Sequence, residues 1–464
     1  MSSSGPITVV GLGPGDPALR TYAAQLALNR ARQVILRTAV HPGLDDLLAD
    51  PRVSACDDLY DAAPAFDDLY RRIADRVLAA AADGDVVYAV PGHPRFGERS
   101  VARLVVQAEA ALVPIAVQDA VGAIDAIATA LGVDLLAEQV QLLDAIALAD
   151  ALDQDPFSGG RVSVDPSRPC LVTQVYSAPM ATATKLALGR LYPDNHPVAM
   201  IRAAAVPGVE RVTRCALYEL DRHPVDHLTS VWVNAAAPLA AHRATATLQR
   251  IVAHLRAPGG CPWDREQTHA SLRGALLEEA YEAVDAIDDG DPDNLAEELG
   301  DLLMQVALHA QIAEEHGTFT FEDVVEHVNR KLVRRHPHVF ATAVAGTPDE
   351  VVRTWNEVKA DERRGTYGGI NVPSSPLDRL PRSMPALSRA AHMFADSQVA
   401  GRPRIAMAGS PNLGDRLLAL AAEAAAAGLD PELELERALR RALDQADTAA
   451  AVSASGTDRD GGQP

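Results

Sequence analysis

At 464 residues the chain has room for two to four domains of about 100–200 residues each. Its formal charge of −21 argues against a protein that tracks a nucleic-acid polymer, which needs a basic stripe, and against adsorption to an anionic membrane. With 48% hydrophobic residues but only 4% aromatic, its cores must be built mostly from Ala, Leu and Val.

The start, "MSSSGPITVV", has neither a basic leader nor a long apolar core, and no apolar run reaches the ~18 residues of a membrane span. Cys56, Cys170, Cys215 and Cys261 stand far apart without a CxxC pair, so no zinc knuckle or disulfide framework is expected. A soluble protein of the reduced cytoplasm fits both observations.

In chain order, "ITVVGLG", "RQVILRT", "GDVVYAVPG", "ALVPIAVQD", "PCLVTQVYS", "HPVAMIRAA" and "TSVWVNAAA" each read as a buried strand. Helical segments such as 21–30 and 66–82 separate them, which predicts an α/β domain with a largely parallel sheet over residues 1–236. "ITVVGLGPGDPAL" is a strand followed by a Gly-rich loop, Gly11 to Asp16. It is no dinucleotide fingerprint, because Asp16 stands where the third glycine of GxGxxG belongs and Pro14 offers no N–H. What remains is either a ligand-binding edge or a plain turn.

Together with "YAVPGHPRFGERS", "VGAIDAIATALGVDL" and "PCLVTQVYS", this loop resembles the tetrapyrrole (uroporphyrin-III/precorrin) methylases over about residues 5–222. The resemblance implies two α/β subdomains with S-adenosylmethionine between them. Its matching positions are Gly11, Gly13, Gly15 and Asp16, and Pro91, Gly92, His93 and Pro94. Two departures stand out. "QDAVGAID" replaces a Gly-Val-Ser-Ser-like turn and loses its small hydroxyls, and "QVQLLDAIALADALDQDPF" reads as an insertion. The domain is thus expected to be a methyltransferase or a ligand-binding regulatory module.

Near 236–242 the texture changes, and from about 242 to 361 every periodic segment is helical, which predicts an all-α domain over 242–365. At 100° per residue, Leu277, Ala280, Tyr281 and Val284 share one face, opposite Glu278, Glu279, Glu282 and Asp285. On the next helix Leu295, Leu299, Leu302, Leu303 and Val306 form an apolar face. Glu298 and Asp301 fall in line with Met304, Leu308 and Ile312. Gathering like-charged carboxylates among apolar residues is costly unless a cation neutralises them. Mg²⁺, a hard ion that takes carboxylate, water and phosphate oxygens, is the natural one, with Mn²⁺ as the alternative. Glu279/Glu282 and Glu298/Asp301 are i, i+3 pairs that two antiparallel helices would join into a four-carboxylate cage. Downstream, Arg330, Lys331, Arg334 and Arg335 make a basic helix end that suits either the helix dipole or a phosphate. Trp355 offers a flat surface and Lys359 a further cation.

"GGCPWDREQTHASLRGALLEEAYEAVDAI", "EELGDLLMQVALHAQIAEE" and "KLVRRHPHVF" closely resemble the MazG family of nucleoside triphosphate pyrophosphohydrolases. Glu278-Glu279-x-x-Glu282 and Glu298-x-x-Asp301 match that family's EExxE and ExxD. The resemblance implies an all-α, Mg²⁺-dependent and usually dimeric domain. It would cleave a nucleoside triphosphate to the monophosphate and pyrophosphate, as in nucleotide-pool control. It assigns metal binding to Glu279, Glu282, Glu298 and Asp301, and nucleotide contacts to Lys331, Arg334, Arg335 and Trp355, with Lys359 beside them. Glu278 is left over as a base or water-orienting group.

The pattern that begins "LGD" at Leu299 returns at Leu413, again as an apolar helix, a short acidic turn and a helix with basic residues. Asn412 stands where Glu298 stood, so 373–447 reads as a degenerate helical half-repeat without metal. The tail, 448–464, is expected to be disordered. The fold class expected for the whole is multidomain: an N-terminal α/β domain, an all-α domain and this half-repeat.

Overall fold

The computed structural model describes residues 5–62, 66–153, 163–237, 239–342, 346–367, 380–395 and 410–456. The chain divides into two compact units, Met1–Val324 and Val325–Pro464. No helix among the described residues is long and apolar enough to cross a membrane.

In the first unit, β1 (Ile7–Gly11), β2 (Gln33–Leu36), β3 (Val53–Ala55), β4 (Val86–Val90) and β5 (Ile115–Val117) form a parallel sheet of order β3-β2-β4-β1-β5. β4, "VVYAV", is buried at every position, as a central parallel strand covered on both faces must be. Its alternation feeds two cores. Ile7, Val9, Val86 and Tyr88 pack on Leu69, Ile73, Val77 and Leu104 of the helices Phe66–Ala81 and Arg99–Ala110, and Val10, Val34 and Val87 pack on Ala24 and Leu28 of the helix Tyr22–Arg30.

The second sheet contains β6 (Gln141–Asp144), β7 (Cys170–Thr173), β8 (Pro197–Arg202), β9 (Arg211–Ala216) and β10 (Thr229–Val233), in the order β6-β7-β10-β8-β9. Here the expectation of a largely parallel sheet needs correction. Only β6 and β7 run parallel, while β7–β10, β10–β8 and β8–β9 are antiparallel. The link from β8 to β9 is too short for a crossover helix, so the chain turns back on itself. The stretch read as an insertion is also integral to the fold. Gln141–Asp144 pairs with Cys170–Thr173, and Ala145 and Leu148 enter the core of this subdomain.

The helical region starts at Thr245–Arg256, which packs through Val252 on Leu272, Ala307, Leu308 and Ile312. Arg256 lies nearly buried and pairs with Glu315 at 2.7 Å while donating to the Gln267 carbonyl at 3.3 Å. Arg250 donates to Ser167 at 2.7 Å and Arg243 to the Gly189 carbonyl at 2.5 Å, tying this region to the second subdomain.

The division between the units falls within the helix Phe321–Arg335. The second unit continues with Pro348–Tyr367, Ala386–Ala395, Leu413–Ala426 and Pro431–Gly456, so the half-repeat is helical. The last helix runs past 447 into the tail expected to be disordered. "DTAAAVSA" is rich in alanine, whose helix propensity is the highest of any residue. Residues 373–379 and 457–464 lie outside the described residues.

Candidate active site

Two helices carry the acids, Arg273–Asp289 and Pro292–Glu315, and "DDGDPDN" sets their junction. Gly290 ends the first helix in a left-handed conformation, φ +68°, which a side chain would strain. Asp291 caps the second, accepting from the N–H groups of Asp293 and Asn294 at 3.1 Å, and Pro292 occupies its first turn. So tight a link folds the helices back on each other and brings the acids of the first toward those of the second.

Glu279, Glu282 and Glu298 each bring a carboxylate oxygen within 4.8 Å of the others. Asp301 stands close enough to act on both Glu279 and Glu298, although it does not complete that set. Desolvation, followed by the charge of Asp301, holds the Glu279 carboxyl above the usual carboxylate range. Desolvation, followed by Glu282 and Asp301, does the same for Glu298. The donor set fits a hard divalent cation. Oxygens on opposite sides of a Mg²⁺ ion lie about 4.2 Å apart, so only a slight closure is needed. Glu278 is exposed beside the trio.

The hairpin corrects the expected core. Leu277, Tyr281 and Val284 are 46%, 54% and 42% exposed, and Leu299, Leu303 and Val306 are 52%, 42% and 37% exposed. The buried side is the other one: Ala283, Ala286, Gln305, Ala307, Leu308, Ala310, Ile312 and Ala313. The helix Pro292–Glu315 packs this side on Thr245–Arg256 through Ala307, Leu308 and Ile312, so the leucine-rich faces point outward.

Sequence reasoning missed Gln305 and His309, which continue the line of Glu298 and Asp301. Gln305 is buried, and its Oε1 has no hydrogen-bond partner among the described residues. His309 and His269 face each other Nδ1 to Nδ1 at 2.8 Å with stacked rings. Their spacing, four and eight residues after Asp301, was the signal available.

In the second unit Lys331 and Arg334 lie exposed on the basic helix end, and Arg330 pairs with Glu326 at 2.5 Å. Arg335 stacks its guanidinium over Trp355, 5.1 Å from the ring centroid, and His336 meets the same indole edge-on at 4.9 Å. His336 was not among the expected residues. Lys359 lies on the helix Pro348–Tyr367, with its side chain outside the described residues.

In the α/β region the two glycine segments come together. The Gly92 N–H donates to the Gly13 carbonyl at 2.9 Å, and the same oxygen lies 3.1 Å from His41 Nε2. A β-carbon on Gly11 would lie 2.2 Å from the Gly92 carbonyl and 2.5 Å from Ala120, so only glycine permits this approach. The loop also reaches the second subdomain: a β-carbon on Gly15 would sit 2.7 Å from Val206. Asp16 is spent on a cap, accepting from the Ala18 N–H at 2.9 Å. Pro94 lies against Gly11, and His93 Nδ1 accepts from the Arg95 N–H at 3.1 Å. In "QDAVGAID" the Asp125 carboxylate accepts from the Gly122 N–H at 2.8 Å.

Two joined α/β subdomains, followed by a helical hairpin bearing converging carboxylates, define a protein that couples a methylase-type domain to a MazG-type domain. The profile of the tetrapyrrole (corrin/porphyrin) methylases matches residues 6–221, and that of the MazG nucleotide pyrophosphohydrolase domain matches 267–340. The uncharacterized protein YabN of Bacillus subtilis (strain 168) is 37% identical over 397 residues, 84% of this chain and 76% of that one. The nucleoside triphosphate pyrophosphohydrolase/pyrophosphatase MazG of Thermotoga maritima is 44% identical over 154 residues, 33% of this chain and 56% of its own length. The uroporphyrin-III-C-methyltransferase of Thermus thermophilus, a solved structure, is 20% identical with a TM-score of 0.38, covering 50% of this chain and 92% of that one. The chain belongs to the family of YabN, and in this chain a tetrapyrrole methylase domain precedes a MazG domain.

Proposed function

We propose that the helical domain, residues 242–365, hydrolyses nucleoside triphosphates between the α and β phosphates, yielding a nucleoside monophosphate and pyrophosphate. The carboxylate trio Glu279, Glu282 and Glu298 carries this reading, and the MazG profile and the Thermotoga relative support it. These three residues and Asp301 would hold Mg²⁺, with Mn²⁺ as a substitute. When bound, the ion supplies charge neutralisation and Lewis acidity at the triphosphate. Exposed Glu278 orients and deprotonates the attacking water, and the proton passes to solvent. Lys331, Arg334 and Arg335 receive phosphate charge, and Trp355 and Lys359 flank the nucleoside.

We assign the exposed face of Leu277, Tyr281, Leu299 and Leu303 to a homodimer contact, since a contiguous apolar surface of this kind calls for cover. The four free cysteines suit a cytoplasmic enzyme. The half-repeat, 373–447, supports the assembly without metal.

A panel of nucleoside and deoxynucleoside triphosphates with Mg²⁺ tests the activity. Monophosphate plus pyrophosphate is expected, and diphosphate plus phosphate would refute the reading. A second reading, S-adenosylmethionine-dependent methylation by residues 1–236, is favoured by the Gly13–Gly92 junction. Calorimetric titration of the full chain with S-adenosylmethionine decides it, because no binding would leave that domain as a regulatory module.

A further inference from the structure

In the second unit two side chains converge on one indole. Trp355 lies on the helix Pro348–Tyr367, and Arg335 and His336 stand at the end of the helix Phe321–Arg335. The central carbon of the Arg335 guanidinium sits 5.1 Å from the indole centroid, and the His336 ring meets the indole at 4.9 Å with 72° between the planes. His336 is itself fixed. Its Nδ1 lies 2.7 Å from the Leu332 carbonyl, an oxygen that only accepts, so Nδ1 carries the proton and the ring cannot turn without giving up that bond. Trp355 is half-buried, whereas Lys331 and Arg334, on the same helix end as Arg335, are exposed.

What this contact does follows from the chemistry of a guanidinium. Arg330, Lys331, Arg334 and Arg335 crowd four cations into six residues, and each repels the rest. Glu326 steadies Arg330 at 2.5 Å, and an ion pair of that kind spends N–H donors on a carboxylate. An aromatic ring spends none: it attracts the cation through its π face and leaves the planar fork of donors to bind elsewhere. Phosphate is an anion that such a fork matches, through two parallel N–H···O bonds. An arginine already held in one orientation also loses less rotamer freedom when a phosphate arrives, which raises affinity. An indole has two faces, so this contact and the nucleoside contact proposed above can coexist.

We propose that Trp355 is a positioning residue: braced by His336, its ring seats the Arg335 guanidinium for the phosphate end of the substrate. This role rests on the reading that the basic helix end receives phosphate. It goes beyond flanking a nucleoside, because Trp355 then matters to a ligand that has no nucleoside at all.

The test titrates inorganic pyrophosphate with Mg²⁺ into the full-length protein by calorimetry, with thermal melts to show which variants fold. Trp355→Leu removes the π face and should weaken pyrophosphate binding about fivefold; Trp355→Phe, whose ring holds a cation less well than indole, should weaken it about twofold. The Phe variant decides the matter if the Leu variant does not fold. In an Arg335→Gln background neither change should weaken binding further, since no guanidinium remains to be seated. Wild-type affinity in the folded Trp355 variants overturns the positioning role. The same loss in both backgrounds overturns it too, because that would mark a residue acting on the fold at large. If the Arg335→Gln background binds too weakly to titrate, the ring series decides, and equal losses from Phe and Leu overturn the role. A wild-type protein that binds no pyrophosphate would overturn the phosphate reading itself, a distinct result from equal binding by wild type and variants.

Discussion

The chain contains two hairpins that begin with "LGD", at Leu299 and at Leu413, and they differ in what lies before that tripeptide. In the first, the helix starts at Pro292, so Glu298 and Asp301 sit inside it, flanked by a second acidic helix. In the second, the helix starts at Leu413 itself. Asn412, the counterpart of Glu298, is the cap and accepts from the Gly414 N–H at 2.8 Å, while Asp415 accepts from the Ser410 hydroxyl at 2.8 Å. Both hairpins turn through a glycine in the left-handed region, Gly317 at φ +66° and Gly428 at φ +73°. The scaffold is shared. A backbone N–H and a serine hydroxyl close by in the chain consume the polar groups of the later hairpin, whereas about two extra helical turns in the earlier one leave its acids facing one another.

The sharpest test of that difference is loss of activity. Glu279→Gln and Asp301→Asn should each lower Mg²⁺-dependent pyrophosphate release at least about 1,000-fold, roughly 4 kcal/mol in the barrier. Asp415→Asn should leave the rate unchanged. Full activity in the first two would sink the assignment. Packing separates the hairpins next. Leu308, 3% exposed, should cost about 2–4 kcal/mol on truncation to alanine, whereas Leu420, 60% exposed, should cost under about 0.5 kcal/mol. Urea unfolding reads both. The caps are more nearly equal: Asp291→Ala and Asn412→Ala should each cost about 1 kcal/mol, with Asp291 the larger because it serves two N–H groups.

The smallest effect is one of pH. Burial, and then the neighbouring His269, holds His309 below the ordinary imidazole value. The unfolded chain, near pKa 6.5, therefore takes up its proton first as pH falls. The contribution of His309 is fully present above about pH 6.5 and is lost below it. His41, pushed down to about 4 by burial, acts in the same direction. Melts between pH 7.5 and 5 should show a smaller decline for His309→Phe than for wild type, and identical slopes would remove the histidine pair as a cause. The later hairpin, with Glu423 at the equivalent position, lacks this group.

Strong local patterns were legible from the start. β1, β2, β4, β5, β7, β8 and β10 are apolar runs bounded by turn residues, and their strands appear as expected. Val53–Ala55, Gln141–Asp144 and Arg211–Ala216 were not, because they are short or polar and owe their strand form to the neighbours they pair with. The acids were legible because i, i+3 spacing needs only the helix period. Gln305 was not: a glutamine in a helix reads as a solvated residue until its burial is known.

By itself the sequence determined the order of the domains, the helical period of the acids and the glycines that let Gly13 and Gly92 meet. All of these depend on neighbours close along the chain or on backbone that tolerates no side chain. Tertiary structure decided which apolar face of the acidic hairpin is buried, the antiparallel pairing of the second sheet and the burial of Gln305. Burial depends on what packs alongside, and here Ala307, Leu308 and Ile312 against Thr245–Arg256 turned the other leucines outward.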